Sequence, residues 1–184
     1  MKKFILLFII IFFAQNNFCQ SYQWAKSGGG NGNPYNTKEE VKKIVVDNAG
    51  NSFIISDVSK STNLPSTILI DGVIKNIPDT YSNTDVSHGL IASFDCNGVY
   101  RWSKVITGQQ WGKIVDVKLD NQGNVYFIGN LPSNAFAINN RIENDYVFPL
   151  ITNGPSPQYL CNNCYSAYIA KYTNSGTFIW LKNL

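Results

Sequence analysis

The chain has 184 residues, 44% hydrophobic, 14% aromatic and only 15% charged. That length bounds one domain with a sizeable core, and so apolar a mix excludes a disordered chain. The net charge of +3 includes Lys2 and Lys3 at the amino terminus, and the short cluster Lys38, Lys42, Lys43 is diluted by Glu39 and Glu40. It reads as a solvated face. No basic stripe suited to nucleic acid or an anionic membrane is present.

Met1-Lys2-Lys3 precedes an unbroken apolar run from Phe4 to Phe13. A cationic start and a short apolar stretch make a secretory signal peptide, expected over residues 1–21. The run falls short of the roughly 20 apolar residues that cross a bilayer. Cleavage could follow Ser21 or Ala14, and Phe18 ahead of Cys19 argues against lipidation. The mature chain is therefore expected outside the cytosol, in the periplasm, at the cell surface or beyond it, without a membrane span. Disulfides are permitted there. If Cys19 leaves, Cys96, Cys161 and Cys164 remain, and one thiol lacks an intramolecular partner.

From residue 22 onward the chain repeats. Trp24-Ala25-Lys26, Trp102-Ser103-Lys104 and Trp180-Leu181-Lys182 recur every 78 residues, each with an aromatic two places earlier (Tyr22, Tyr100, Phe178). Leu90 to Gly98 matches Tyr168 to Gly176 at the same spacing. Val46-Asp47-Asn48-Ala49-Gly50-Asn51 matches Leu119-Asp120-Asn121-Gln122-Gly123-Asn124 at a spacing of 73, so loop insertions separate the copies. Unit one covers about 24–101, unit two about 102–179, and a third opens at 180.

Each unit reads as two hairpins. Val115, Val117 and Leu119 alternate with Asp116 and Lys118, the period of a half-buried strand. The turns Asp47 to Gly50, Asp95 to Gly98 and Asp120 to Gly123 carry the chemistry of a type I turn closed by a glycine bulge, and Gly176 holds the same place in a fourth. Variable inserts, 59–87 and 131–165, divide the hairpins. Ile68-Leu69-Ile70 and Phe136-Ala137-Ile138 are expected to add a short strand in each.

Trp-x-Lys, then Asp-x-x-Gly-Asn, then Ile-Ala-x-aromatic-x-x-x-Gly-x-x-x-Trp resembles the β-propeller repeat family of secreted bacterial proteins, the SBBP-type repeats. The likeness runs over roughly residues 22–184 outside the inserts; Ser56 departs from it where unit two has Gly129. It implies an all-β fold of antiparallel four-stranded propeller blades, with about two blades here and the ring incomplete, since propellers close with about four to eight. Further blades would come from a longer chain or another copy.

Few residues suggest chemistry. Cys161 and Cys164 have the spacing of half a zinc site or a redox pair. A structural zinc needs two more ligands, with Cys96 and His88 the candidates besides carboxylates, and the thioredoxin-like context of a redox CxxC is absent. A small local disulfide is the favoured reading. His88, the only imidazole, precedes a strand start and reads as a surface or cap residue. Asp47, Asp95 and Asp120 read as turn formers, since each loop offers one carboxylate where calcium wants several oxygens. Trp24, Trp102 and Trp180 read as packing residues of the repeat. Trp111, in the polar loop Gly108-Gln109-Gln110-Trp111-Gly112, is the candidate ligand contact.

The expectation is an exported, non-catalytic scaffold with no cofactor, binding a protein, glycan or surface polymer. The spacing also looks like quinoprotein dehydrogenase repeats, which would imply a quinone and calcium. The shorter turn and the missing Thr-Gly pair weigh against that resemblance.

Overall fold

The computed structural model describes residues 24–30, 39–60, 67–76, 86–107, 112–132, 140–148 and 165–184. The expected leader, Trp111, Cys161 and Cys164 lie outside the described residues. The described residues form thirteen strands and no helix. β1 (Gly28–Gly30) opens them. The first unit comprises β2 (Glu40–Val46), β3 (Ser52–Lys60), an insert pair β4 (Thr67–Ile70) and β5 (Val73–Asn76), then β6 (Val86–Phe94) and β7 (Tyr100–Thr107). The second comprises β8 (Lys113–Leu119), β9 (Val125–Pro132), an insert pair β10 (Arg141–Ile142) and β11 (Tyr146–Val147), then β12 (Tyr165–Tyr172) and β13 (Phe178–Asn183).

All pairings are antiparallel. Each unit is a four-stranded meander, β2-β3-β6-β7 and β8-β9-β12-β13. The described sheets form no closed ring. The four hairpin turns are built alike. The N–H of Asp47 donates to the Asn51 carbonyl at 2.9 Å, and the N–H of Gly50 to the Asp47 carbonyl at 3.0 Å. Asp95, Asp120 and Thr173 repeat both bonds with their own partners. The fourth residue stands at φ between 76° and 83°, in the left-handed region that glycine enters without a Cβ penalty.

Bulges also recur. The register of β2 on β3 slips between Val41 and Lys43, and that of β8 on β9 between Ile114 and Asp116. The second slip corrects the alternation expected from sequence. An extra residue in a strand shifts those before it to the other face. Ile114, not Val115, therefore shares the buried face with Val117, and Val115 is exposed.

The inserts reach backward. β4 pairs with β1, setting Gly28 opposite Ile70, and β10 pairs with β7, setting Ile106 opposite Ile142. Thus β1 occupies the place of a fourth strand, equivalent to β7, and each insert hairpin extends the fourth strand of the preceding unit. Asp71 and Glu143 hold equivalent corners, both at positive φ (49° and 39°). Their N–H groups donate to Ser27 and Val105 carbonyls at 2.8 and 3.1 Å. The lysine of each Trp-x-Lys then meets an insert carboxylate: Lys26 with Asp71 at 2.6 Å, Lys104 with Asp145 at 2.7 Å. The first insert strand covers Ile68 to Ile70, as the sequence suggests. In unit two the strand is Arg141–Ile142; residues 136–138 lie outside the described residues.

The main core lies between the two units. Phe53, Ile55, Ile91, Trp102 and Ile106 of the first sheet pack on Ile114, Val117, Phe127 and Tyr172 of the second. A second cluster joins the other face of the first sheet to the insert, through Val58, Ile68, Ile70, Leu90 and Phe94.

Candidate functional site: the seam between the units

Two aromatic clasps are built alike, one where the first unit meets the second and one where the 24–30 segment meets the first unit. Trp102, at the start of β7, stacks on Tyr172 of the second unit, centroids 6.3 Å apart and planes 17° from parallel. Trp24 takes the same position on Phe94, at 6.2 Å and 30°. Each indole also covers a turn glycine. A Cβ built on Gly98 would stand 2.6 Å from Trp24 Cγ, and one on Gly176 the same distance from Trp102 Cγ. Glycine is therefore required at both turns twice over, for φ and for room. Trp180 contacts Tyr126 of its own sheet at 6.0 Å, as Trp102 contacts Phe53 at 5.9 Å. Among the described residues it covers no next-unit ring or glycine. The three tryptophans read as equivalent in sequence thus occupy two equivalent seats and one half-built seat.

Polar bonds cross the same seam. Trp102 Nε1 donates to the Asn174 carbonyl at 2.8 Å, and Arg101 donates to Asn174 Oδ1 at 2.6 Å. Asn174 Nδ2 in turn donates to Asp47 Oδ2 at 2.7 Å. Lys43 and Asp116 form an ion pair from β2 to β8. Asn174 was not singled out by sequence because its repeat partner is Cys96. That thiol is exposed and free, and it lies against Gly50 as Asn174 lies against Gly123.

The turns of Asp47 and Asp120 stand side by side and enclose a cleft of about 370 Å³. Its lining is rich in amides: Asn48, Asn51, Asn121, Gln122 and Asn174. The carboxylates close their own turns, and Asp47 also accepts from Asn174 across the seam while Asp120 meets Lys171 at 3.5 Å. Asp120 accepts from the Gln122 and Asn124 amides and from Asn124 Nδ2, at 2.8–3.0 Å. The Asn124 side-chain bond is the main cause drawing Asp120 down to about 2. At Asp47 desolvation pushes upward, yet bonds from Asn51 and Asn174 outweigh it and hold the carboxyl below its ordinary range. Both stay ionised near neutrality as acceptors. Among the described residues no three His, Cys, Asp or Glu side chains gather as a metal cluster.

One other expectation changes. His88 is fully buried in mid-sheet, opposite Val58 on β3, rather than at a surface cap. Of the lysine cluster, Lys38 lies outside the described residues; Lys42 is exposed and meets Glu40 at 2.6 Å and Asp57 at 3.2 Å, and Lys43 meets Asp116. No described helix is long and apolar enough to cross a membrane. Searched against known families, the chain matches no family profile, and no curated protein matches it.

Proposed function

We propose that this chain is part of an exported β-propeller scaffold that binds a glycan or hydroxyl-rich surface polymer without catalysing a reaction on it. The observation that carries the reading is the amide-lined cleft at the seam. Side-chain amides offer donors and acceptors together, which suits sugar hydroxyls. Asn48 and Asn121 are exposed, so their amides are open to a ligand; Gln122 is exposed too, with its Oε1 accepting from Asn124 Nδ2 at 3.3 Å. The cleft is built from two consecutive repeats. A longer series of units would present it once per seam, and such multivalency raises avidity for a polymer without new contacts. The propeller reading rests on the four-stranded units, on their packing in series through the tryptophans, and on the SBBP-type sequence pattern. The export reading rests on the apolar leader.

The test is calorimetric titration of the chain with fractionated cell-envelope polysaccharides. Binding to one fraction is expected, and Asn48→Ala with Asn121→Ala is expected to weaken it at least roughly tenfold, the loss of about 1.4 kcal/mol. Circular dichroism should be unchanged in that variant. A chain that binds no fraction, or a double variant that binds equally well, would refute the reading.

A further inference from the structure

The first unit is hollow where the second is solid. In unit two Tyr168 stands opposite Gly129, is 1% exposed, and packs in the main core with Phe127 and Ile106. Strand register gives the matching positions in unit one. Leu90 stands opposite Ser56 as Tyr168 stands opposite Gly129, and Ile54 stands opposite Ala92 as Phe127 stands opposite Ala170. Gly28 stands opposite Ile70 as Ile106 stands opposite Ile142. Two aromatic rings and an isoleucine are therefore replaced by two aliphatic side chains and a bare glycine. A cavity of about 190 Å³ lies there, between the 24–30 segment and the first sheet, lined in part by Gly28, Ile54, Ser56, Leu90 and Phe94. The hollow is set by these three replacements, within the sheet and the strand that covers it.

The polar surroundings of the filled site persist in the hollow one. Tyr168 OH donates to the Lys113 carbonyl at 3.1 Å. Glu40 is paired opposite Asp57 as Lys113 is opposite Asn130, so the Glu40 carbonyl holds the equivalent place, and Glu40 lines the cavity. A Cβ on Gly129 would stand 2.3 Å from the Tyr168 hydroxyl oxygen. Ser56 fills that spot in unit one and leaves no room for a tyrosine at position 90. It brings instead a hydroxyl beside the place where a phenolic oxygen would sit.

We propose that this cavity binds a small free phenol, a ring the size of one tyrosine side chain, in place of the ring that Leu90 lacks. An apolar cavity of about 150 Å³ takes up benzene, and the larger volume here leaves room for a hydroxyl and a short substituent. Ile54, Leu90 and Phe94 give the ring apolar walls, and a few placed polar groups then fix its orientation. The phenolic O–H donates to the Glu40 carbonyl, and its oxygen accepts from the Ser56 hydroxyl. Those two partners offset the cost of burying the hydroxyl and favour a phenol over a plain arene. The site is separate from the seam cleft and needs no glycan.

The test is calorimetric titration of the chain with para-cresol, the tyrosine side chain as a free molecule, and with toluene, which lacks the hydroxyl. Para-cresol is expected to bind with a dissociation constant of about 1 mM or tighter, and toluene roughly tenfold more weakly, the loss of one hydrogen bond. Ser56→Gly combined with Leu90→Tyr rebuilds the unit-two arrangement and fills the cavity. With its β spectrum unchanged, that variant is expected to bind para-cresol at least roughly tenfold more weakly. Methyl NMR of the wild type gives a second reading that needs no variant. The Ile54 and Leu90 methyls should shift as para-cresol saturates, while those of Ile114 and Val117 in the seam core stay in place. Para-cresol that does not bind below about 10 mM overturns the proposal. So does toluene binding as tightly, a folded double variant binding equally well, or shifts that spare Ile54 and Leu90.

Discussion

The Trp102 indole lies directly over Gly176, closer than any side chain at that position would allow. Gly176→Ala therefore meets two penalties, a strained φ of +83° and a collision with the ring. Gly72 separates them. It has the same φ, but a Cβ there would meet nothing within 4 Å. Gly72→Ala should cost about 1–2 kcal/mol, the left-handed penalty alone. Gly176→Ala should cost about 1–3 kcal/mol more, the usual range for overpacking a filled site. Urea unfolding midpoints of the two variants check this.

The indole nitrogen contributes separately. Trp102→Phe keeps an aromatic face for Tyr172 but removes the donor to the Asn174 carbonyl. A loss of about 1–3 kcal/mol is expected, covering the bond and the stranded acceptor. Trp180→Phe should change stability by no more than about 0.5 kcal/mol, because among the described residues that half-buried ring packs on its own sheet alone. Thermal unfolding of both variants measures the difference.

Acid should loosen the turns. Asp120 has its folded pKa lowered to about 2, chiefly by Asn124, against an ordinary value of 3.8. Asp116 is lowered too, chiefly by Lys43. A lowered folded pKa means stability that is present above the unfolded value and lost as pH falls through the folded one. The urea midpoint should hold between about pH 5 and 7 and decline from about pH 4 toward 2. Asp120→Asn should flatten part of that decline. An equally steep decline in the variant would contradict the assignment.

The repeat was legible because its signals are local. Glycine at a bulged turn is demanded by backbone geometry, and a side-chain oxygen at its start, from aspartate in three turns and Thr173 in the fourth, accepts the turn's N–H groups, so Asp47, Gly50, Asp120 and Gly123 mark their hairpins without help from the rest of the fold. Four things were not legible. The bulge beside Val115 inverts a run that reads as simple alternation, because a bulge has no composition signal here. The backward reach of the inserts depends on pairing with the preceding unit, although Asp71-Gly72 between apolar residues is itself a hairpin signal. Gly129 in place of Ser56 becomes clear only beside its cross-strand neighbour. Tyr168 crowds Gly129, where unit one sets the smaller Leu90 against Ser56. The burial of His88 likewise depends on sheet register, which one sequence does not reveal.

The account depends on consecutive sheets meeting through equivalent indoles, and proton NMR reads that contact directly. An aromatic ring shields protons held over its face, so the α-protons of Gly98 and Gly176 should both resonate well upfield of ordinary turn glycines. Trp102→Leu should return Gly176 to the ordinary range and leave Gly98 in place. Ordinary shifts for both glycines in the folded wild type would contradict it.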